Sequence, residues 1–329
     1  MSTPRHHELC TLFDSHYLLK GLALYASLER HCPSFTLTVY TFDERAEELL
    51  GRLDLPHLRT VSLARLEADD PALASVKGTR SRGEYCWTAT PALPLHVLRT
   101  RPEVEAVTYL DADLRFWDDP GALIDELGDD SVLITEHRYP PQYARHLPNG
   151  IYNVQFMTFR RDARGLEVLQ WWHDRCVEWC YARLEDGRFG DQKYLDDWPE
   201  RFAGVHVLRH PGGGVAPWNV VVAGVHEGGD GTLRVGDGQP LVFFHFHGAG
   251  LRRDGALRWR VPGFSVPRAA RTLLYERYRR DLTEALARVR AVEPGFDAGL
   301  EAPPTLPERL DLLKRDAIER ALAVRERLR

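Results

Sequence analysis

Asp111 and Asp113 stand where the apolar run AVTYL (106–110) ends. Side chains at i and i+2 of a strand point to the same side. Two carboxylates placed this way can approach one hard divalent cation. Mg²⁺ and Mn²⁺ take oxygen ligands and usually bridge to a substrate's phosphates. Open α/β sheets bind ligands at the carboxyl ends of their strands, so position and chemistry agree. An Asp-x-Asp pair alone is weak, because turns and solvated strand ends produce it too. Its delivery by an apolar strand, and the Trp117-Asp118-Asp119-Pro120 turn after it, favour a functional pair. The strand LVFFHFHG (241–248) carries two histidines; a lone His in an apolar strand is usually structural, and two on one face beside Gly248 favour function. Alternation puts Phe243, His245 and His247 on one side of that strand. Imidazole readily joins carboxylates at Mn²⁺, and either histidine can serve.

The elements that position these residues read as alternating strands and helices. CTLFDSHYLL is a strand and turn. GLALYASLERHC follows as a helix, with Leu18, Leu22, Tyr25 and Leu28 at helical spacing. FTLTVYTFD alternates as a strand, ERAEELLGRL is a shorter helix, and LRTVSL is another strand. Such units predict a parallel sheet with right-handed crossovers. A third unit starts at Glu84, carries a helix around ALPLHVLRT, and ends in AVTYLDADL. SVLITEH and YNVQFMTFR read as further strands around a Pro-rich loop (139–148). Leu169, Trp172, Cys176 and Trp179 predict an amphipathic helix over 163–183. A Gly-rich stretch (211–238) precedes LVFFHFHG. The tail is helical and charged. Its last helix carries Leu306, Leu310, Leu313, Ala317 and Ala321 on one stripe. That stripe suits packing on the body, pairing with a second copy, or lying on a membrane surface; the first is the default.

The 329 residues are 43% hydrophobic, enough for a well-buried core. The net charge of −5 gives no reason to expect nucleic acid as a partner. From Leu251 to Arg290, eleven Arg face four acids. This local basic surface suits phosphates, an anionic acceptor or a membrane, and equally a solvated helix face. No signal-peptide pattern and no run of about 18 apolar residues occurs, so membrane contact is at most peripheral. The five cysteines include no Cys-x-x-Cys pair and read as buried thiols, which suits a cytoplasmic protein.

YLDADL resembles the Asp-x-Asp motif of glycosyltransferases of the GT-A fold, especially glycosyltransferase family 8. Several blocks fit in the same order. FDSHYL resembles the opening nucleotide-binding strand, with His16 in the Asn place. YNVQFMTFRR resembles the Asn-x-Gly strand, with Gln155 where Gly is usual. GDQKYLDDWP resembles the Asp-Gln block, APWNV the Trp-Asn element, and HFHG the His-x-x-Gly. The segment from EYCWTATPALPLHVLR to DADLRFWDDP also resembles bacterial surface-polysaccharide sugar transferases. Together these blocks run from about residue 9 to 250.

The resemblance implies an α/β GT-A fold: a mostly parallel, Rossmann-like sheet flanked by helices, with a C-terminal helical tail. It implies a catalytic domain over 1–262 and a helical extension over 263–329. Mn²⁺ or Mg²⁺ is expected on Asp111, Asp113 and His245, the Gly spacing favouring His245 over His247. Thr11, Phe13, Asp14 and His16 are expected around base and ribose. Arg80, with Arg82, is expected at the diphosphate. Asp191 and Gln192 are expected at the reacting sugar, and Trp218 and Asn219 at the acceptor. Asp14 and Asp191 also suit helix caps, and Trp218 a core position. The expected donor is a nucleotide sugar, UDP-sugar foremost, and transfer is expected to retain configuration. The acceptor is a saccharide, a lipid-linked intermediate or a small molecule, and a homo-oligomer is compatible with the tail. The Lys-Pro-Trp that often follows His-x-x-Gly is absent, which turns attention to Arg252 and Arg253 as substitute cations.

Three other activities compete with this one. A nucleotidyltransferase would carry a Gly-rich, basic loop after the first strand, where this chain has DSHYLLKGL. A non-catalytic binding protein would lack a carboxylate or the Asp-Gln pair. A glycoside hydrolase would use Asp111 and Asp191 as a carboxylate pair without metal.

Overall fold

A computed structural model describes residues 5–306. The stripe residues Leu310, Leu313, Ala317 and Ala321 lie outside the described residues. The first elements follow the predicted order: β1 (His7–Phe13), α1 (Leu18–His31), β2 (Phe35–Thr41), α2 (Glu44–Arg52) and β3 (Leu58–Ser62). Leu18, Leu22, Tyr25 and Leu28 do form the buried face of α1. Asp43 caps α2 by accepting the Ala46 N–H at 2.8 Å. Next come α3 (Arg82–Ala89), opened by a capping box of Ser81 and Glu84, and α4 (Ala92–Thr100). The chain then runs through β4 (Ala106–Leu110), β5 (Leu114–Phe116), β6 (Val132–Glu136), β7 (Tyr152–Arg160), α5 (Ala163–Glu178) and β8 (Val205–Val207). A late strand, β9 (Phe243–His245), and a long helix, α6 (Glu276–Val292), are the remaining parts that matter for the site.

The central sheet has seven strands in the order β3-β2-β1-β4-β7-β6-β8. Only β7 runs against the others. One apolar cluster packs α1, α2 and α6 on one face of the sheet. The other packs α4 and α5 on the opposite face. This is the predicted α/β sandwich, with the helices screening a mostly parallel sheet from water on both sides.

The helix expected over 163–183 is shorter. It ends at Glu178, and Trp179 turns extended. Arg80 caps this end, donating to the carbonyls of Val177 (3.1 Å) and Glu178 (3.4 Å). The helix α6 packs along α1. Its Asp281 is buried and ion-paired with Arg115 of β5 at 2.6 Å and with Arg30 of α1 at 3.0 Å. No helix among the described residues is long and apolar enough to cross a membrane.

Candidate metal and donor site

The strand β4 ends at Leu110, and the chain turns at once. The Leu114 N–H donates to the Asp111 carbonyl at 3.2 Å. Asp111 and Asp113 therefore converge through a turn, not through the strand alternation expected from sequence. The turn is pinned from two sides. The Asp111 N–H donates to the Gln155 carbonyl of β7 at 3.0 Å, and the Phe246 N–H donates to the Asp113 carbonyl at 2.9 Å. Antiparallel pairing of β5 with β9 sets His245 opposite Leu114. The distant histidine thus arrives beside the carboxylates by main-chain register.

His245 Nε2 lies 3.0 Å from Asp113 Oδ1 and 3.6 Å from Asp111 Oδ2. One ligand atom from each residue falls within 4.8 Å of the others. Two carboxylate oxygens and an imidazole nitrogen match what Mn²⁺ or Mg²⁺ accepts. The other imidazole nitrogen, Nδ1, lies 2.9 Å from Gln155 Oε1. An amide oxygen only accepts, so Nδ1 carries the hydrogen and Nε2 is the nitrogen facing the carboxylates. His247 is exposed and lines the cavity beside this group rather than joining it.

Burial pushes the Asp111 carboxyl above its ordinary range, helped by the charge of Asp113. Burial would raise Asp113 too, but His245 and Lys20 hold it well below that range. The site therefore keeps one firm carboxylate even without a cation. The hydroxyl of Tyr109 donates to Asp111 Oδ1 at 2.9 Å and fixes its orientation.

A cavity of about 490 Å³ opens over this group. Phe13, Asp14, Tyr17, Arg82, Asp191 and Gln192 all line it. Asp191 is buried, and burial together with the Asp111 charge pushes its carboxyl up to about 8. Gly190 has φ +51°, and a Cβ there would stand 3.4 Å from the Trp87 ring. This glycine lets the chain turn Asp191 inward. The Gln192 Nε2 donates to the Asn149 carbonyl at 2.8 Å.

The predicted residues do not all meet here. Asp14 lines the cavity and also accepts the N–H groups of His16 and Tyr17, so it binds the start of α1 as well. Thr11 is wholly buried behind the cavity wall, and His16 lines a smaller adjoining cavity of about 200 Å³. Arg82 pairs with Asp14 at 2.5 Å, whereas Arg80 is held at the end of α5. Trp218 is buried, with its ring edge-on to His245 at 5.4 Å and to His247 at 5.8 Å. Asn219 is buried, and its amide bonds the backbone of Ala216, His137 and Gly214. Arg253 pairs with Asp297 at 3.3 Å, and neither it nor Arg252 lines the cavity.

Other site residues escaped the sequence reading. Tyr17, Trp87, Thr90, Tyr109 and Asn153 all line the cavity. The Asn153 amide lies 3.0 Å from His137 Nε2. Burial drives His137 down to about 3, so it is neutral and accepts from Asn153 while Nδ1 donates to the Ile151 carbonyl. Asn153 is the Asn of the quoted Asn-x-Gly strand, the one signal that pointed to it.

No family model matches the chain. Two proteins of Bacillus subtilis (strain 168) do. YfnF is 31% identical over 300 residues, covering 88% of this chain and 95% of YfnF. YfnD is 33% identical over 241 residues, covering 72% of this chain and 76% of YfnD. The chain belongs to their family. Both relatives are described only as uncharacterized proteins. Among solved structures, the galactosyltransferase LgtC with donor and acceptor sugar analogs aligns with a TM-score of 0.52 at 15% identity. That match covers 84% of this chain and 95% of LgtC. The YfnF/YfnD-family chain thus has the GT-A fold that LgtC also has.

Proposed function

We propose that this protein is a metal-dependent glycosyltransferase that moves a sugar from a nucleotide-diphosphate donor to a hydroxyl-bearing acceptor with retention. The observation that carries this reading is the Asp111–Asp113–His245 group at the end of β4, opening into a cavity that also holds Asp191 and Gln192. The GT-A fold supports it, since LgtC of that fold was solved with donor and acceptor sugar analogs. UDP-sugar is the favoured donor, and the acceptor is a saccharide, a lipid-linked intermediate or a small molecule. Five unpaired cysteines suit a reducing cytoplasm.

Asp111, Asp113 and His245 hold the divalent ion, Mn²⁺ or Mg²⁺. When bound, that ion supplies Lewis-acid stabilisation to the charge growing on the departing nucleoside diphosphate. Phe13 and Asp14 bound the base and ribose end, with Thr11 and His16 supporting that wall from behind and beside it. Arg82 is the basic residue facing this end. Asp191 orients sugar hydroxyls and, once a bound cation offsets the Asp111 charge that raises its carboxyl, steadies positive charge developing at the anomeric carbon. Gln192, with its amide nitrogen tied to Asn149, keeps the reacting face shaped. A glutamine is no strong nucleophile, which suits front-side displacement. Trp218 and Asn219 shape the acceptor side, Trp218 through its ring beside His247 and Asn219 by bracing its loop.

Thermal shifts with UDP, GDP, dTDP and CDP, each with and without Mn²⁺, test the reading. One nucleotide should stabilise the protein only when metal is present. The reading fails if none does, or if Asp113→Ala responds as the wild type does.

A further inference from the structure

Lys20 reaches the metal group from α1, an element the motifs did not connect with it. Its ammonium lies 3.8 Å from Asp113 Oδ2, while His245 takes Oδ1 of the same carboxylate. The side chain is only 12% exposed. Nζ rests 3.9 Å from the centre of the Tyr17 ring, and Tyr17 lines both the donor cavity and the small cavity where Lys20 stands. Among the described residues, 3.8 Å is the nearest approach of an acid to this ammonium, too long for a hydrogen bond. Burying an ammonium is costly unless an anionic partner stands close to it.

Charge balance indicates the partner. Asp111 and Asp113 together offset a divalent ion. A diphosphate bound there then brings surplus negative charge. The other nearby cations have partners already: Arg82 sits on Asp14 at 2.5 Å, and Arg258 grips Glu301 through two contacts of 2.6 Å. Leu251, in the segment after His-x-x-Gly that lacks Lys-Pro-Trp, lines the same small cavity as Lys20.

We propose that Lys20 binds the distal phosphate of the donor diphosphate beside the metal site and offsets the charge of the leaving nucleoside diphosphate. This rests on the donor reading above. The test is calorimetric titration in Mn²⁺ with the nucleoside diphosphate singled out by the panel and with its monophosphate. Lys20→Met should weaken diphosphate binding about ten- to hundredfold, the loss of one charged hydrogen bond. Monophosphate binding should change less than about threefold, and Mn²⁺ alone should bind no more weakly, since Lys20 repels the cation. Lys20→Arg should recover most of the loss. Lys20→Gln gives a second uncharged variant should the methionine form fail to fold. Unchanged diphosphate binding in a folded variant overturns the role of Lys20, as does equal weakening of both nucleotides. Absence of diphosphate binding by the wild type overturns the donor reading itself.

Discussion

Replacing Asp191 by Asn should make the metal-free protein more stable and, on the proposed reading, inactive. The carboxyl of Asp191 is pushed up to about 8 by burial and the Asp111 charge. In the unfolded chain it titrates near 3.9. The raised folded value means the folded protein holds a proton that the unfolded chain releases. The stability this proton contributes is complete below about pH 4 and is lost as pH rises through about 8. The gap is about four pH units at ~1.4 kcal/mol each, a ceiling near 6 kcal/mol. Relaxation and water entry reduce such ceilings, so about 2–4 kcal/mol is expected. Asparagine keeps the size and backbone of the site, including the Trp172 indole donating to the residue 191 carbonyl at 2.9 Å. Urea unfolding in EDTA, from pH 4.5 to 8.5, reads the difference directly. The variant should match the wild type near pH 4.5 and exceed it by about 2–4 kcal/mol at pH 8.5. Added Mn²⁺ should narrow the gap by offsetting the Asp111 charge. Equal stability at pH 8.5, or a gap unchanged across the range, refutes the reasoning.

Gln155→Leu removes the acceptor that orients His245 and should weaken Mn²⁺ binding about ten- to hundredfold by calorimetry, with the fold intact by circular dichroism. Asp281→Asn strips the buried Arg115 guanidinium of its charge partner; chemical denaturation should show a loss of about 3–5 kcal/mol, whereas the exposed Arg253–Asp297 pair should give less than about 1 kcal/mol when broken by Asp297→Asn.

The Asp-x-Asp pair was legible because its determinants are local: an apolar strand and two carboxylates beyond its end. The sheet was legible for the same reason, since each strand and helix carried its own period. Contacts that cross the chain were not. Gln155 read only as a misplaced glycine, because its partner His245 lies 90 positions away. Lys20 read as a helix position of no note, because its meaning depends on α1 lying against the β4 turn. Arg80 and Arg82 are two residues apart and looked interchangeable. The cap at Ser81 separates them: Arg82 opens α3 and faces the cavity, while Arg80 precedes it and closes the end of α5. The strand rule for Asp111 and Asp113 gave the right convergence through the wrong geometry, because the pair had already left the strand.

Two differences from the resembled pattern bear on the carboxylate–imidazole group. Gln155 stands where glycine is usual and touches Nδ1 of His245. Leu251 follows the His-x-x-Gly block, where Lys-Pro-Trp is absent, and Lys20 fills the space beside it. Gln155 and Lys20 each bring a side chain to the same carboxylate–imidazole cluster. A glycine at 155 would leave the imidazole free to rotate or change tautomer, so this chain orients its histidine by a side chain of β7. A cation carried by α1 likewise approaches Asp113 from the opposite oxygen to His245. On the proposed reading, the metal-binding atoms can thus stay fixed while their supports move between elements. On the same reading, substitutions in these supports should therefore shift affinities for ion and diphosphate more than the choice of sugar.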